Sequence, residues 1–220
     1  MSKFLEADIS FQPDKITYVG DPTEGLGTPE VEAGFEMELT IMHEWETPLM
    51  ERHADFVCER GGHILEVGFG MGISSQFIHE NGPASHTIIE IHPQIAEKAR
   101  EWAADKDNVE ILVGDWLEVL PTLYEGTIQI TPKIFDGVFF DPFGLWSKEY
   151  TFPQLIYPHV KETTRISHWN PLKFEGSTCG FMNHPNYTIE FEQIPIDISS
   201  MPDGYCMGEI YYFPKVTKNG

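Results

Sequence analysis

The chain has 220 residues, of which 41% are hydrophobic and 22% charged, which fits a globular protein with room for one sizeable domain or two small ones and excludes a disordered chain. Fourteen Lys and Arg face thirty-five Asp and Glu, for a formal charge of −21, so a phosphate backbone or an anionic membrane is repelled and neither is expected as a partner. No apolar run approaches the roughly 20 residues that span a bilayer, no signal-like start is present, and three scattered cysteines, Cys58, Cys179 and Cys206, form no framework; a reducing cytoplasmic setting is the expectation.

Residues 1–40 are rich in Gly, Pro and acids and read as an irregular arm or cover, with a short helix around Glu30 to Met37. Residues 41–220 read as the main domain. Its first helix starts near Trp45, with Thr47 able to cap it and Pro48 suited to the first helical position. Leu49, Met50, His53, Ala54, Val57 and Cys58 share one face, and Gly61 and Gly62 stop the helix.

His63 to Gly68 reads as strand one, followed by a glycine loop and a helix to about Glu80. Strand two is Thr87 to Ile91, then a helix opened by Pro93. Strand three is Val109 to Val113, then a short helix from Trp116 to Tyr124. Strand four is Phe135 to Phe140 and ends at Asp141. Alternating strands and helices imply an α/β fold with a mostly parallel, Rossmann-like sheet. A helix over 147–160, bent at Pro153, and a fifth strand within Gly176 to Met182 are expected next. Tyr187 to Ile194 and Gly208 to Phe213 then form an antiparallel pair around a turn at Met201 to Gly204. With no crossover helix between strands five and six, their apolar face needs a cover, and residues 1–40 or a homodimeric partner would supply it.

Glu66-Val-Gly-Phe-Gly-Met-Gly72 is the most informative segment. Gly68, Gly70 and Gly72 sit between a strand and a helix, where they allow a tight turn and close approach of a ligand. Glu90, at the end of strand two, is placed to accept hydrogen bonds from a ribose diol. A dinucleotide and S-adenosylmethionine both suit this pattern. The spacing departs from GxGxxG, and a carboxylate at Glu66 would repel a pyrophosphate but hold the amino group of a methionine, which favours S-adenosylmethionine. Asp115 and Trp116 after strand three can border an adenine with an acceptor and an aromatic face.

The glycine segment resembles motif I of the class I S-adenosylmethionine-dependent methyltransferases, within which the chain is most similar to the guanidinoacetate N-methyltransferase family. The resemblance rests on His43-Glu-Trp-Glu-Thr-Pro-Leu-Met50, Ile64 to Met71, Ile88-Ile-Glu90, Phe135-Asp-Gly with Asp141, Tyr211-Tyr-Phe-Pro and Val216-Thr-Lys218. It implies a sheet with an antiparallel last strand and S-adenosylmethionine as cofactor, bordered by Met50, Glu90 and Trp116. It also implies a cationic small-molecule guanidino substrate, gripped by Glu46, with Asp141 as second carboxylate and base. Pro142-Phe-Gly144 stands where the family has Thr-Tyr-Pro, and Phe181 to Asn183 is the nearest equivalent of the amides with which the family holds its substrate's carboxylate.

The chemistry is consistent with that implication. A guanidinium presents N–H donors in a planar fork that a carboxylate takes two at a time. Its pKa lies above about 12, so a proton must leave as a methyl arrives. Trp45 and Phe143 are candidate walls of the acceptor pocket, as are His168 to Asn170 and Asn183-His184. No metal spacing links the nine histidines.

Overall fold

A computed structural model describes residues 2–20, 36–125, 131–143, 148–202 and 208–220. The chain opens with a short helix α1 (Ser2–Glu6) and strands β1 (Ile9–Phe11) and β2 (Lys15–Gly20), and resumes with β3 (Met37–His43). These strands form an antiparallel sheet in the order β1-β2-β3. The expected irregular arm is therefore folded, and its last strand runs through residue 41 into the following segment. Residues 30–35 of the expected helix lie outside the described residues, and Met37 begins a strand.

After a 3-10 turn at Glu44–Glu46 come α2 (Thr47–Cys58), β4 (His63–Val67), α3 (Ile73–Glu80), β5 (Ser85–Glu90), α4 (Pro93–Ala103), β6 (Val109–Val113) and α5 (Trp116–Val119). A two-residue ladder, β7 (Tyr124–Glu125) with β8 (Thr131–Pro132), precedes β9 (Phe135–Phe140). Then follow α6 (Phe152–Ile156), flanked by 3-10 turns at Glu149–Thr151 and Tyr157–His159, and strands β10 (Val160–His168), β11 (Tyr187–Pro195) and β12 (Ile210–Lys218).

The main sheet has seven strands in the order β11-β12-β10-β9-β4-β5-β6. The pairs from β10 to β6 are parallel, and β12 is antiparallel to both β10 and β11. This is the α/β Rossmann-like arrangement expected, with its antiparallel last strand. Period-two alternation feeds two cores. Ile64, Ile88 and Phe139 pack toward α2, α3 and α4, while Leu65, Val67, Ile89, Val138 and Phe140 pack toward α5 and α6. Each fully buried Phe in these layers contributes about 1.5–3 kcal/mol through area removed from water.

The last third departs from expectation in three ways. Strand five is Val160–His168, and Gly176 to Met182 is a loop of turns and irregular backbone beside it. The helix expected over 147–160 is a single α-turn with 3-10 flanks, and Pro153 sits in its first turn, where its missing N–H costs nothing, instead of bending it. The sheet face at β10 and β12 is covered from within the domain. Phe56 of α2 lies edge-on to Phe213 on one side, and Phe152 with Phe181 packs on the other, so α2 and the 176–182 loop supply cover there. Residues 203–204 of the expected turn, with Cys206, lie outside the described residues. No helix among the described residues is long and apolar enough to cross a membrane.

Candidate active site

The carboxyl ends of β4, β5 and β9 open into a cavity of about 600 Å³, lined at one end by the glycine loop and at the other by acids, with β3 along its side. That is where open α/β sheets take their ligands.

The glycine loop leaves β4 with Gly68 at φ 92° and Gly70 at φ 54°, conformations that L side chains avoid. A Cβ on Gly68 would collide with the Asp141 carbonyl, and one on Gly70 would lie 2.6 Å from the Met42 sulfur. Gly68 N–H donates to the Ile89 carbonyl at 2.9 Å, and Met71 N–H to the Met42 sulfur at 3.2 Å. The loop is thus clamped between β5 and β3, with bare backbone facing the cavity.

Glu90 closes this end. Its Oε2 accepts from Phe69 N–H at 2.8 Å and its Oε1 from His92 N–H at 2.7 Å. Burial raises its pKa, and backbone N–H groups of Phe69, His92, Ile91 and Gly70 oppose that rise. Glu90 lines the cavity, where its carboxylate is an acceptor within reach of a ribose diol. Trp116 lines the cavity at 2% exposure, edge-on to Phe140 at 5.1 Å, and its buried indole N–H has no partner among the described residues. The bare glycine cradle, the diol acceptor and the aromatic wall are a donor and acceptor set that fits S-adenosylmethionine.

Four of the expected cofactor residues lie elsewhere. Glu66 is fully buried on the α3 face of β4, beside Ile64 in the alternation. Its carboxylate accepts from the Ser74 and Ser75 hydroxyls, the latter at 2.6 Å, and His86 Nε2 lies 2.9 Å away without hydrogen-bond alignment. It braces the loop from beneath and is not among the described residues that line the cavity. Met50 sits in the α2 core with no exposure. Gly72, at φ 75°, is the left-handed residue that opens α3. Asp115 caps α5 through Leu117 N–H at 2.9 Å.

The acceptor end gathers three carboxylates on the cavity wall. Glu46 ends the 3-10 turn after β3 and is 5% exposed; its Oε1 accepts from His43 N–H at 3.0 Å, while Trp45 N–H donates to His43 Nδ1. The two form a capping box on that turn, and Glu46 makes no side-chain cap to α2. Asp141 leaves β9, and its N–H is held by the Val67 carbonyl at 2.9 Å. Burial, then the charges of Glu46, Glu149 and Glu66, push its carboxyl well above the usual range.

Glu149 is the third acid, and the sequence reading missed it. It is 6% exposed, raised by burial, and approached by the Thr178 hydroxyl and by the Cys179 thiol at 3.8 Å. Only its place just ahead of the Phe152-Pro153 helix start could have marked it, and that signal favours a plain charge–dipole role.

Behind these acids the main chain is fixed by neutral histidines. His168 Nδ1 meets the Trp169 carbonyl at 2.8 Å and its Nε2 meets Ser177 Oγ at 2.9 Å, so Nδ1 donates and the serine hydroxyl donates in turn. Burial lowers the His168 pKa to about 4. Ser177 Oγ also accepts from Cys179 N–H at 3.2 Å. His53 bridges Ser167 and Tyr211 at 2.8 Å each, and Tyr211 in turn accepts from Asn170 N–H at 3.0 Å. Of the candidate walls, Phe143 and Trp169 line the cavity. Trp45 packs at the edge of a core, His168 and Asn170 lie behind the wall, and Asn183 and His184 are outside it. The arm contributes Phe4 and all of β3 up to Met42, with the Phe4 ring 5.2 Å from Phe143.

Residues 32–168 match the guanidinoacetate N-methyltransferase family. Among curated proteins, the chain is 31% identical over 225 residues to protein arginine N-methyltransferase 2 of Yarrowia lipolytica, covering 97% of this chain and 42% of that protein. It is 38% identical over 199 residues to the protein of that name from Candida glabrata, covering 80% and 47%. The chain therefore spans less than half the length of these relatives. Among solved structures, the O-methyltransferase TomG of Streptomyces achromogenes in complex with SAM aligns with TM-score 0.59 at 18% identity, over 81% of this chain and 82% of that one. Spermidine synthase of Thermotoga maritima aligns with TM-score 0.54 at 13% identity, over 97% and 72%. At such identities the structures show the fold.

Proposed function

The chain belongs to the guanidinoacetate N-methyltransferase family of class I S-adenosylmethionine-dependent methyltransferases, and from that premise we propose that it transfers a methyl group to a guanidino nitrogen, the acceptor being an arginine side chain of a protein. The observation that carries this reading is the convergence of Glu46 and Asp141, from segments far apart in the chain, on the cavity that also holds the glycine loop and Glu90.

Gly68, Gly70, Glu90 and Trp116 would hold the cofactor, which supplies an electrophilic methyl on a sulfonium. Glu46 and Asp141 take guanidinium N–H groups and aim one nitrogen at that methyl, so most of the catalysis is alignment. The attacking nitrogen loses a proton as its new N–C bond forms, and Asp141 accepts it. The raised proton affinity of Asp141 suits it to that task. The curated relatives' names support an arginine acceptor, and the chain's charge of −21 favours a basic partner.

The test is transfer of labelled methyl from S-adenosylmethionine to agmatine, to arginine-containing peptides and to simple amines. Label in a guanidino nitrogen of a peptide is the expected result. Label in simple amines alone would overturn the reading.

A further inference from the structure

Strand β3 is an edge. The sheet order β1-β2-β3 gives it β2 on one side and no strand of that sheet on the other. Only every second residue of a strand turns its N–H and C=O to a given neighbour, so a strand paired on one side leaves the alternate set pointing away. That outer side borders the cavity. The six consecutive residues from Met37 to Met42 all line it, whereas a strand meeting it with one face would contribute alternate residues. The register jumps from Ile16 opposite Met42 to Thr17 opposite Thr40, so Ile41 is an extra residue with no partner on β2, and it too lines the cavity. Beyond the β2 ladder, no backbone–backbone hydrogen bond joins residues 37–42 to another described residue.

The surroundings favour one kind of occupant. Glu36 and Glu44 bracket β3, both exposed and neither in an ion pair among the described residues, while Glu38 is held by Lys15 at 2.7 Å. A second copy of this chain would bring the same acids and a charge of −21 to the same edge, and is repelled. A basic polypeptide is attracted. Glu46 stands in the turn that ends β3, so a strand lying on this edge leads toward the acceptor end of the cavity.

We infer that the β3 edge is the docking surface for the acceptor polypeptide, which pairs with it as an added strand and so turns one arginine side chain into the cavity. The inference rests on the arginine-acceptor reading above and goes beyond it, because it gives the acceptor's main chain a site of its own. An added strand is held through main-chain hydrogen bonds, and its successive side chains point to opposite faces. An arginine on the inward face enters the cavity while its two neighbours turn away from it. Recognition through the main chain tolerates varied flanking residues, and a free guanidino compound has nothing to pair with this edge. The seven residues of β3 match a peptide of similar length.

Amide hydrogen exchange and initial rates test this on the wild-type chain. The probes are agmatine, a peptide as long as β3 with a central arginine and a lysine at each end, and the same peptide N-methylated on its backbone at one residue at a time. With S-adenosylhomocysteine bound, saturating peptide should slow exchange of alternate amides within 37–42 at least about 5-fold, and agmatine should not. The peptide's KM should lie at least about 10-fold below that of agmatine, the worth of one or two net main-chain hydrogen bonds. N-methylation should raise KM about 5-fold at one residue and hardly at the next, with kcat little changed, because only alternate N–H groups meet the edge. Equal KM for all the N-methylated peptides, unchanged exchange in β3, or turnover of agmatine without turnover of the peptide would refute the docking surface and leave the guanidino reading standing. Methyl transfer to neither agmatine nor any peptide would remove both. A dimer by light scattering with β3 amides already protected would give the edge to a second copy and overturn the inference.

Discussion

The two ends of the cavity are built on opposite principles. At the cofactor end the polar groups come from short runs of neighbouring backbone, and Glu90 is already held by two N–H groups before any ligand arrives. At the acceptor end three acids come from three separate segments, and Asp141 and Glu149 carry raised proton affinities because burial and like charge oppose their ionisation. Glu90 has its backbone donors when the cavity is empty, whereas a bound cation would favour the ionised forms of Asp141 and Glu149. Rigid pre-organisation suits a ligand common to every turnover, while unrelieved charge suits the partner to be selected.

The contrast can be broken most sharply at Asp141. Asp141→Asn should lower turnover at least about 100-fold, the usual worth of a positioned base, with smaller loss of acceptor binding. It should also raise the melting temperature of the free protein by about 2–4 °C for each kcal/mol of repulsion removed. Initial rates and a thermal melt check both, and near-normal turnover would remove Asp141 as the base.

Gly68→Ala should damage the other end by strain. A Cβ at φ 92° facing the Asp141 carbonyl should cost about 2–4 kcal/mol in stability and abolish measurable cofactor binding. Denaturant unfolding and calorimetry measure the two losses. Glu90→Gln should be milder, since the amide still accepts but one backbone N–H meets an NH₂ group; a roughly 10-fold loss in S-adenosylmethionine affinity is expected, with acceptor affinity untouched.

The smallest effect is a slope with pH. Cation binding requires Asp141 to be ionised, so acceptor affinity should climb as pH rises through its raised pKa and flatten above it, by at most about 10-fold per unit. Stability of the free protein contains two opposing contributions. A raised carboxylate contributes stability that is present below its unfolded value and lost as pH rises through the folded one. His168, lowered to about 4, contributes stability that is present above its unfolded value near 6.5 and lost as pH falls toward 4. Melts of Asp141→Asn across this range should lose the Asp141 share of the first slope, keep the shares of Glu90 and Glu149, and keep the second.

The cofactor end was legible in the sequence because its parts are local: glycines after a buried strand, then an acid at the end of the next strand. Even there Glu66 lies away from the cavity lining. Both faces of β4 are buried, so the pattern gives no sign of which face meets the cavity, and Ser74 and Ser75 reach it from α3. Strand β10 was overlooked because Lys161, Glu162 and Thr163 are exposed at its start, leaving too short an apolar run. The loop at 176–182 looked strand-like because Cys179 and Phe181, two apart, both reach the core. Glu149 has no periodic partner, and only the folded loop at Thr178 and Cys179 gives it a role.

The position of β12 sets a condition on how the protein reaches this state. It comes later in the chain than both strands it separates, so β10 and β11 cannot pair first and then admit it. The partly assembled sheet must wait with the edge of β10 open while a long loop closes, which makes this step slow and exposes that edge to other chains. Tyr211 lies on β12 and holds Asn170 N–H, so the turn behind the acceptor wall can set only after that insertion. During refolding from denaturant, cofactor binding should therefore return before methyl transfer does.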